Sequence, residues 1–543
     1  MRNVAERSVV YCENFRDFID IIEQYGDQPA LTWYTLKGEK KTRTYAGFVS
    51  DVRTLSSCFV RRGLAGKHIA VVGENSYAWL LVYFASTVCG SAAVCIDPEQ
   101  SEGRIRSMVE WADSEVVFIS ASCREIFRDD DRQKVFRLDE ADSGWITVRE
   151  LMDEERARTD GPVTEEIMPD VDCTASIVYT SGTTDLSRPV MLSQRALLIN
   201  SAESNMVVDM GEQCFTALPF CHTYGMTCAV IATLLRGAEL IFNGNMRTAM
   251  RDMVISGATA TLTVPLVVEL LCRQIWNLAE QHGKTRELRK VFRHLELTQR
   301  FGLWNMPDNM KKLRQQLFGS VRLIICGGAH LDWSVAGKLK LLGIEVLEGY
   351  GITECSPLVS VNRYGEARPN TVGKPLESCK VQIMDGEICV SGPSVMKGYY
   401  KMPEETKKAL EGGWFHTGDI GEFDKDGYLK ITGRKKNLIV FKNGKKVSPE
   451  AYENKLKTIP LIKEVLVYGA SKGDSQDNVR IAASVYPDPD VVKDMTAYEI
   501  LEAVQTEVDR LNNTLPFYQQ IQMVDIRTQE FERNTLSKIK RQM

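Results

Sequence analysis

The chain has no CxxC, no pair of histidines at metal-ligand spacing and no GxxxxGK[ST] phosphate loop. Its 14 cysteines are scattered, and Cys214, Cys221 and Cys228, seven apart, form too weak a pattern to carry a site. These absences argue against a metal or disulfide framework and favour free buried thiols in a reducing, cytoplasmic setting. No charge of one sign dominates: 67 Lys+Arg stand against 72 Asp+Glu, a net −5, so no broad electrostatic footprint for nucleic acid is expected. The first fifteen residues contain Glu6 and Glu13 and no apolar core, so no signal peptide is expected. Nor is there an unbroken run of about 20 apolar residues. The two uncharged stretches, 75–96 and 214–235, are interrupted by Ser76, Ser86 and Gly90 and by Pro219, His222 and Gly225. Each is expected to be a buried helix followed by a buried strand, not a membrane span.

What is present is globular: 44% hydrophobic and 26% charged residues over 543 positions, enough for about three or four folding units. Phe15, Phe18, Ile19 and Ile22 recur at i, i+3, i+4, i+7 and predict an amphipathic helix. Short β-rich runs at 68–72, 92–96, 116–119, 176–179, 239–242, 260–264, 323–326 and 345–348 alternate with helical stretches. That alternation predicts crossover units and largely parallel sheets. Two charged segments, 128–166 and 274–320, read as solvated peripheral helices. A surface-binding patch is the alternative for the second, which is basic, with a solvated face favoured, and a peripheral membrane contact is kept open without a location. After residue 380, glycine turns punctuate alternating strands. From 434 a compact α+β pattern begins, with Ser448 as N-cap and Pro449 at the first helical position. The expected fold class is α/β: a large N-terminal body of mixed and parallel sheets flanked by helices with a β-rich subdomain (1–433), then a small mobile α+β domain (434–543).

The strand pattern 176–179 runs into Thr180, Ser181, Gly182, Thr183 and Thr184, offering four hydroxyls and successive backbone N–H groups around a flexible glycine. Such a loop suits a polyphosphate, although an ordinary polar turn has the same composition. Seven further motifs follow: LPFCHTYG (218–225), CGGAHLD (326–332), GYGITE (349–354), GEICVSGPSVMKGYY (386–400), WFHTGD (414–419), GRKKNLIV (433–440) and TLSKIKR (535–541). In this order, over essentially the whole chain, they resemble the adenylate-forming superfamily of acyl-CoA synthetases, peptide-synthetase adenylation domains and luciferases.

The resemblance implies roles. Thr180, Ser181, Gly182, Thr183, Thr184 and Arg188 would cradle phosphates, with Gly328 and Ala329 of CGGAHLD also at the nucleotide. Tyr350 would stack on adenine, Thr353 would bond the α-phosphate and Glu354 would hold Mg2+, a hard cation that wants oxygen ligands. Asp419 would accept from the ribose hydroxyls and Arg434 would reach the ribose or phosphate. Lys436 matches the hinge. Lys538 matches the swinging lysine whose ammonium offsets charge growing on the α-phosphate. His222 matches a position bordering the carboxylate tunnel, with 226–235 and 261–271 apolar enough to line it; a buried core histidine is the alternative. No Asp lies in 221–226 to pair with an amino-acid substrate.

Two departures stand out. Where the family pattern continues Gly-x-Pro-Lys-Gly, this chain has Asp185-Leu186-Ser187-Arg188-Pro189, and Leu536-Ser537 replaces Thr-Gly before the terminal lysine. Arg188 keeps the cation as a planar fork; Asp185 puts a carboxylate beside the expected phosphates. The leading reading is an AMP-forming acid–thiol ligase that activates a medium- to long-chain fatty acid or other carboxylate with ATP and passes it to coenzyme A. The 274–320 insert, CGGAHLD and SPLVSV resemble long-chain fatty acyl-CoA synthetases. The alternatives are a ligase loading a phosphopantetheine carrier protein and a non-catalytic nucleotide- or acyl-binding homologue.

Overall fold

Asn14 opens the first helix: its Oδ1 accepts from the Arg16 and Asp17 N–H groups at 2.9 and 3.0 Å. Phe15, Phe18, Ile19 and Ile22 are then buried on one face of the helix Phe15–Glu23, as their spacing requires. The structure, a computed structural model, describes residues 10–541 except 131–133, 139–143, 161–162, 164–166, 181–186, 302, 304–305, 442–445, 472–478, 533–538 and 540. The chain divides into two compact units, Met1–Lys380 with Val390–Phe415 and Val381–Cys389 with His416–Met543.

The large unit carries two sheets. In the seven-stranded one, Ala92–Ile96, His68–Val72, Ser114–Ile119 and Val135–Arg137 follow one another in parallel from Thr174–Tyr179, with Pro189–Ser193 and Gly398–Tyr399 antiparallel on the other side. The nine-stranded sheet has a parallel centre of Pro29–Tyr34, Glu239–Phe242, Gln213–Thr216, Ala260–Thr263, Leu323–Cys326 and Glu345–Gly351. Its two edges turn antiparallel. All eight expected strands are there. Runs such as AAVCI at 92–96 are buried at every position, because helices cover both faces of a parallel sheet.

The uncharged stretches resolve into short helices and strands. The first is the 12-residue helix Tyr77–Val88 and then the strand Ala92–Ile96. The second has the opposite order from that expected: strand Gln213–Thr216 first, then a buried helix. Among the described residues no helix is long and apolar enough to cross a membrane. The charged segments are also more than solvated helices. Val135–Arg137 adds a buried edge strand, and the helices Pro265–Gln281, Thr285–Arg300 and Asp308–Phe318 bury Leu288, Phe292, Leu295 and Phe318 in the core. Apolar residues at helical spacing inside a charged stretch still specify a packed face.

In the small unit, Asp385 and Gly386 both take positive φ (48° and 81°), the two-residue turn that joins the strands Lys380–Met384 and Glu387–Ser391. Phe415–Phe423 and Leu429–Arg434 continue that sheet as an antiparallel pair. Beyond them, the strands Ile462–Ser471, Val479–Pro487 and Ile521–Ile526 pack against helices Pro449–Leu456 and Ala497–Asn512 around Leu456, Val465, Val485 and Val504. Ser448 occupies the N-cap position with Pro449 behind it, but its hydroxyl bonds Glu450 Oε2 (2.7 Å) in place of a backbone N–H.

Candidate active site

The strand Thr174–Tyr179 delivers Thr180 to the end of the parallel sheet, where open α/β sheets place their ligands. The Thr180 N–H donates to the Arg188 carbonyl (3.0 Å) and the Arg188 N–H donates to Thr180 Oγ1 (3.3 Å), closing the neck of the loop. Ser181, Gly182, Thr183, Thr184 and Asp185 lie outside the described residues, as does Lys538. The Arg188 guanidinium stands over the Tyr399 ring, 5.2 Å from its centroid, and Arg104 Nη2 donates to Ser187 Oγ at 3.0 Å. Two cations therefore flank this loop.

Tyr399 links Arg188 to the acidic centre. Its hydroxyl donates to Glu354 Oε1 at 2.9 Å. Burial, then the Glu354 charge, push the phenol far above its ordinary value, so it remains a donor at every working pH. Glu354 itself is buried in the short 3-10 turn Thr353–Cys355, and its carbonyl accepts from Met396 N–H at 2.8 Å. Asn200 fixes the chain just beyond: its Nδ2 donates to the carbonyls of Cys355 and Leu358 and its Oδ1 accepts from Leu358 N–H. Ser356 is held at φ +73° by a hydroxyl bond to the Ser394 carbonyl, a strained conformation that braced sites retain. Neither Tyr399 nor Asn200 was singled out from sequence; the GYY ending of the 386–400 motif was the one signal that pointed to the former.

Tyr350 ends the strand Glu345–Gly351 as a buried side chain. A Cβ on Gly351 would meet the Pro357 carbonyl at 2.6 Å, so this motif needs glycine there. Gly328 has φ +87°, and Gly328 and Ala329 are exposed on a loop clipped by the buried Glu348, whose Oε1 accepts from Leu331 N–H (3.2 Å) and lies 3.3 Å from His330 Nδ1. Gly327 faces the ring of Tyr224, whose hydroxyl donates to the Ile325 carbonyl at 3.0 Å.

That tyrosine ties in LPFCHTYG. The turn folds so tightly that a Cβ on Gly225 would lie 2.3 Å from the Pro219 carbonyl. Asn75 braces it from outside, accepting from Phe220 N–H and donating to the Leu218 carbonyl, each at 2.8 Å. His222 leads into Tyr224–Ile231, a π-helix, continued by the α-helical turn Ala232–Leu235. Met226–Leu235 is buried throughout. Burial drives the His222 ring below its ordinary value, with Asp97 opposing, so the imidazole is neutral at pH 7.

The small unit holds its own constellation. Asp419 and Arg434 face each other across an antiparallel pair, with Arg434 Nε 3.0 Å from Asp419 Oδ1. Asp419 is buried while Arg434 keeps an exposed edge. Next to them, the buried Glu387 accepts from Gly418 N–H (2.9 Å) and Lys435 Nζ (2.7 Å), and His416 Nδ1 lies at 3.3 Å. Burial opposes ionisation of Glu387, but Lys435, the Gly418 N–H and His416 outweigh it and hold the carboxyl below the usual range. Glu387, Cys389 and His416 place ligand-type atoms within 4.8 Å of one another. The Lys435 ammonium already sits where a cation would, and burial with the Glu387 charge pushes the Cys389 thiol up to about 11, so this grouping fits an ion-pair hub and not a metal site. Lys436 is exposed on the turn Lys435–Asn437. Of the terminal cations, Arg541 is committed to Glu453 Oε2 at 2.6 Å.

Known proteins are similar to this chain in sequence and in fold. The sequence model of the AMP-binding enzyme family matches residues 18–400, and that of the AMP-binding enzyme C-terminal domain matches 436–543. A Mycobacterium bovis protein named long-chain-fatty-acid–CoA ligase FadD15 is 27% identical over 483 residues, 83% of this chain and 80% of that one. A crystal structure of the anthranilate CoA ligase AuaEII with anthranoyl-AMP superposes with a TM-score of 0.78 at 16% identity, covering 99% of this chain and 97% of that one. The o-succinylbenzoate coenzyme A synthetase of Bacillus subtilis with ATP and magnesium gives 0.73 at 20% identity, covering 96% and 98%.

Proposed function

The chain belongs to the AMP-binding enzyme family, and from that premise we propose that it joins a carboxylic acid to a thiol in two steps. A carboxylate oxygen attacks the α-phosphorus of ATP, the bond to the β-phosphate oxygen breaks, and acyl-AMP and pyrophosphate form. The thiolate sulfur of coenzyme A then attacks the acyl carbon and AMP leaves. The observation that carries this reading is the buried Glu354 carboxylate locked by Tyr399, with the Arg188 guanidinium against the same ring at the neck of the hydroxyl-rich loop.

Each residue has a role to fill. Tyr350 stacks on adenine, Thr353 bonds the α-phosphate, and Thr180 with 181–184 and Arg188 receives the phosphates. Glu354 fits a Mg2+ ion, because a hard cation needs an oxygen donor and keeps several waters; that ion would offset phosphate charge. Asp419, its carboxylate oriented by Arg434, accepts from the ribose hydroxyls. Lys538 supplies the ammonium that stabilises charge growing on the α-phosphate. Rotation about Lys436, carrying the residues that follow it, exchanges this lysine for the thiol-presenting face.

We take the acid to be a medium- to long-chain fatty acid. Support comes from the name of the Mycobacterium bovis relative, the buried and mostly apolar helical wall at 226–235 and a neutral His222 beside it. Fourteen free cysteines, all but Cys173 buried, fit a reducing cytoplasm. The test is pyrophosphate release with acids from acetate to C18 and aryl acids, with coenzyme A, with a phosphopantetheine carrier protein, or with neither. Fatty-acid-dependent release and a coenzyme A thioester are expected. A preference for aryl acids would remove the substrate assignment, and no release with any acid would remove the activity.

A further inference from the structure

The helix Thr285–Arg300 packs Leu288, Phe292 and Leu295 inward. Its outer face is the unusual one. At 3.6 residues per turn, Arg286, Arg289, Lys290, Arg293, Leu297, Arg300 and Phe301 fall within an arc of about 120°. All seven are exposed, Leu297 by 56% and Phe301 by 77%, and Leu303 just beyond is 72% exposed. Glu287 and Glu296 lie outside the arc, at its edges. Among the described residues none of the five cations pairs with a carboxylate.

A merely solvated helix face mixes charge signs, because like charges at i, i+3 and i, i+4 destabilise the helix. Here Arg286–Arg289, Arg286–Lys290, Arg289–Arg293 and Lys290–Arg293 are all like pairs, in a chain whose net charge is −5. Two large apolar side chains, Leu297 and Phe301, stand exposed at one end of the same face, and the exposed Leu303 follows just beyond the helix end. A nucleic acid would explain the cations and leave the apolar tip unexplained. An anionic lipid surface explains both, since headgroups attract Lys and Arg and the acyl boundary takes Leu and Phe.

We propose that this face docks the protein on an anionic membrane surface, with Arg286, Arg289, Lys290, Arg293 and Arg300 at the headgroups and Leu297, Phe301 and Leu303 entering the acyl boundary. The attachment is peripheral and reversible. It goes beyond the ligase reading and does not depend on it, because binding is measured without substrate.

The full chain is sedimented with vesicles of phosphatidylcholine alone and of two parts phosphatidylcholine to one part phosphatidylglycerol, at low and high NaCl. Binding to the mixed vesicles that weakens with salt is expected, with little on phosphatidylcholine. R289E/R293E should lower the affinity by about tenfold or more. L297S/F301S should weaken the binding that survives high salt. The control K407E/K408E, on the exposed helix Pro403–Ala409, should bind as the parent does, and thermal melts should show all variants folded. Failure of the parent to sediment with anionic vesicles, equal loss in the control, or undiminished binding in both test variants would each overturn the proposal. So would retention on heparin without any vesicle binding. Pyrophosphate release measured on the same samples reports separately on the ligase reading.

Discussion

The Tyr399 hydroxyl donates to Glu354 Oε1 at 2.9 Å, and the two residues, 45 positions apart, come from different motifs. The phenol occupies one carboxylate oxygen, so it sets how the other can turn toward a cation. Tyr399→Phe removes a charge-assisted hydrogen bond of about 1.5–3 kcal/mol and should slow acyl-adenylate formation by about tenfold or more. The Mg2+ concentration for half-maximal rate should rise with it, while the melting temperature falls by only about a few degrees. An unaltered Mg2+ titration would show that Tyr399 only packs.

Gly225 is a structural requirement of a different kind. A methyl group there would lie 2.3 Å from the Pro219 carbonyl, and that atom is backbone. Gly225→Ala should destabilise the chain by about 3 kcal/mol or more, read in urea unfolding. A variant that unfolds at the parental urea concentration would mean that 218–225 relaxes freely.

Glu387 gives the acid dependence of stability. Its folded value lies below the unfolded one of about 4.3, so it stabilises the folded chain above that pH and loses this contribution as the pH falls through the folded value. Glu387→Gln should therefore cost about 2 kcal/mol near pH 7 and progressively less below about pH 4. A deficit independent of pH would assign the loss to packing and not to the Lys435 pair.

Asp185, where the family pattern has glycine, would bear on nucleotide handling through its charge and through the loss of glycine's backbone freedom. A carboxylate about 4 Å from a phosphate costs roughly 1 kcal/mol in water and about 4 at an effective dielectric of 20. Asp185→Gly should lower the ATP KM by about tenfold or more. Equal KM and kcat in the two proteins would show that this side chain faces solvent.

The fold was largely legible because its signals are local. A buried parallel strand such as 92–96 announces itself as a short apolar run, and 15–22 announces its helix by spacing. Glu354, Tyr350 and Asp419 were singled out from the motifs that contain them, and all three are buried. Their supports were not singled out. Asn200 bonds Leu358 across 158 positions and Glu387 meets Lys435 across 48, pairings that exist only after folding. The order of strand and helix in 214–235 was misread for a related reason: uniform apolarity marks burial but carries no period to separate the two.

The π-helix at Tyr224–Ile231 has an implication for how this wall could diversify. A π-turn holds one residue more than an α-turn, so excising one amino acid lets the segment tighten to ordinary pitch without breaking it. The side chains within 224–231 would then be re-aimed, while the flanking turn Ala232–Leu235 and the strand Glu239–Phe242 keep their places. One codon's deletion would re-aim a whole stripe of Met, Cys, Val and Ile, a larger change of contour than any single replacement could make.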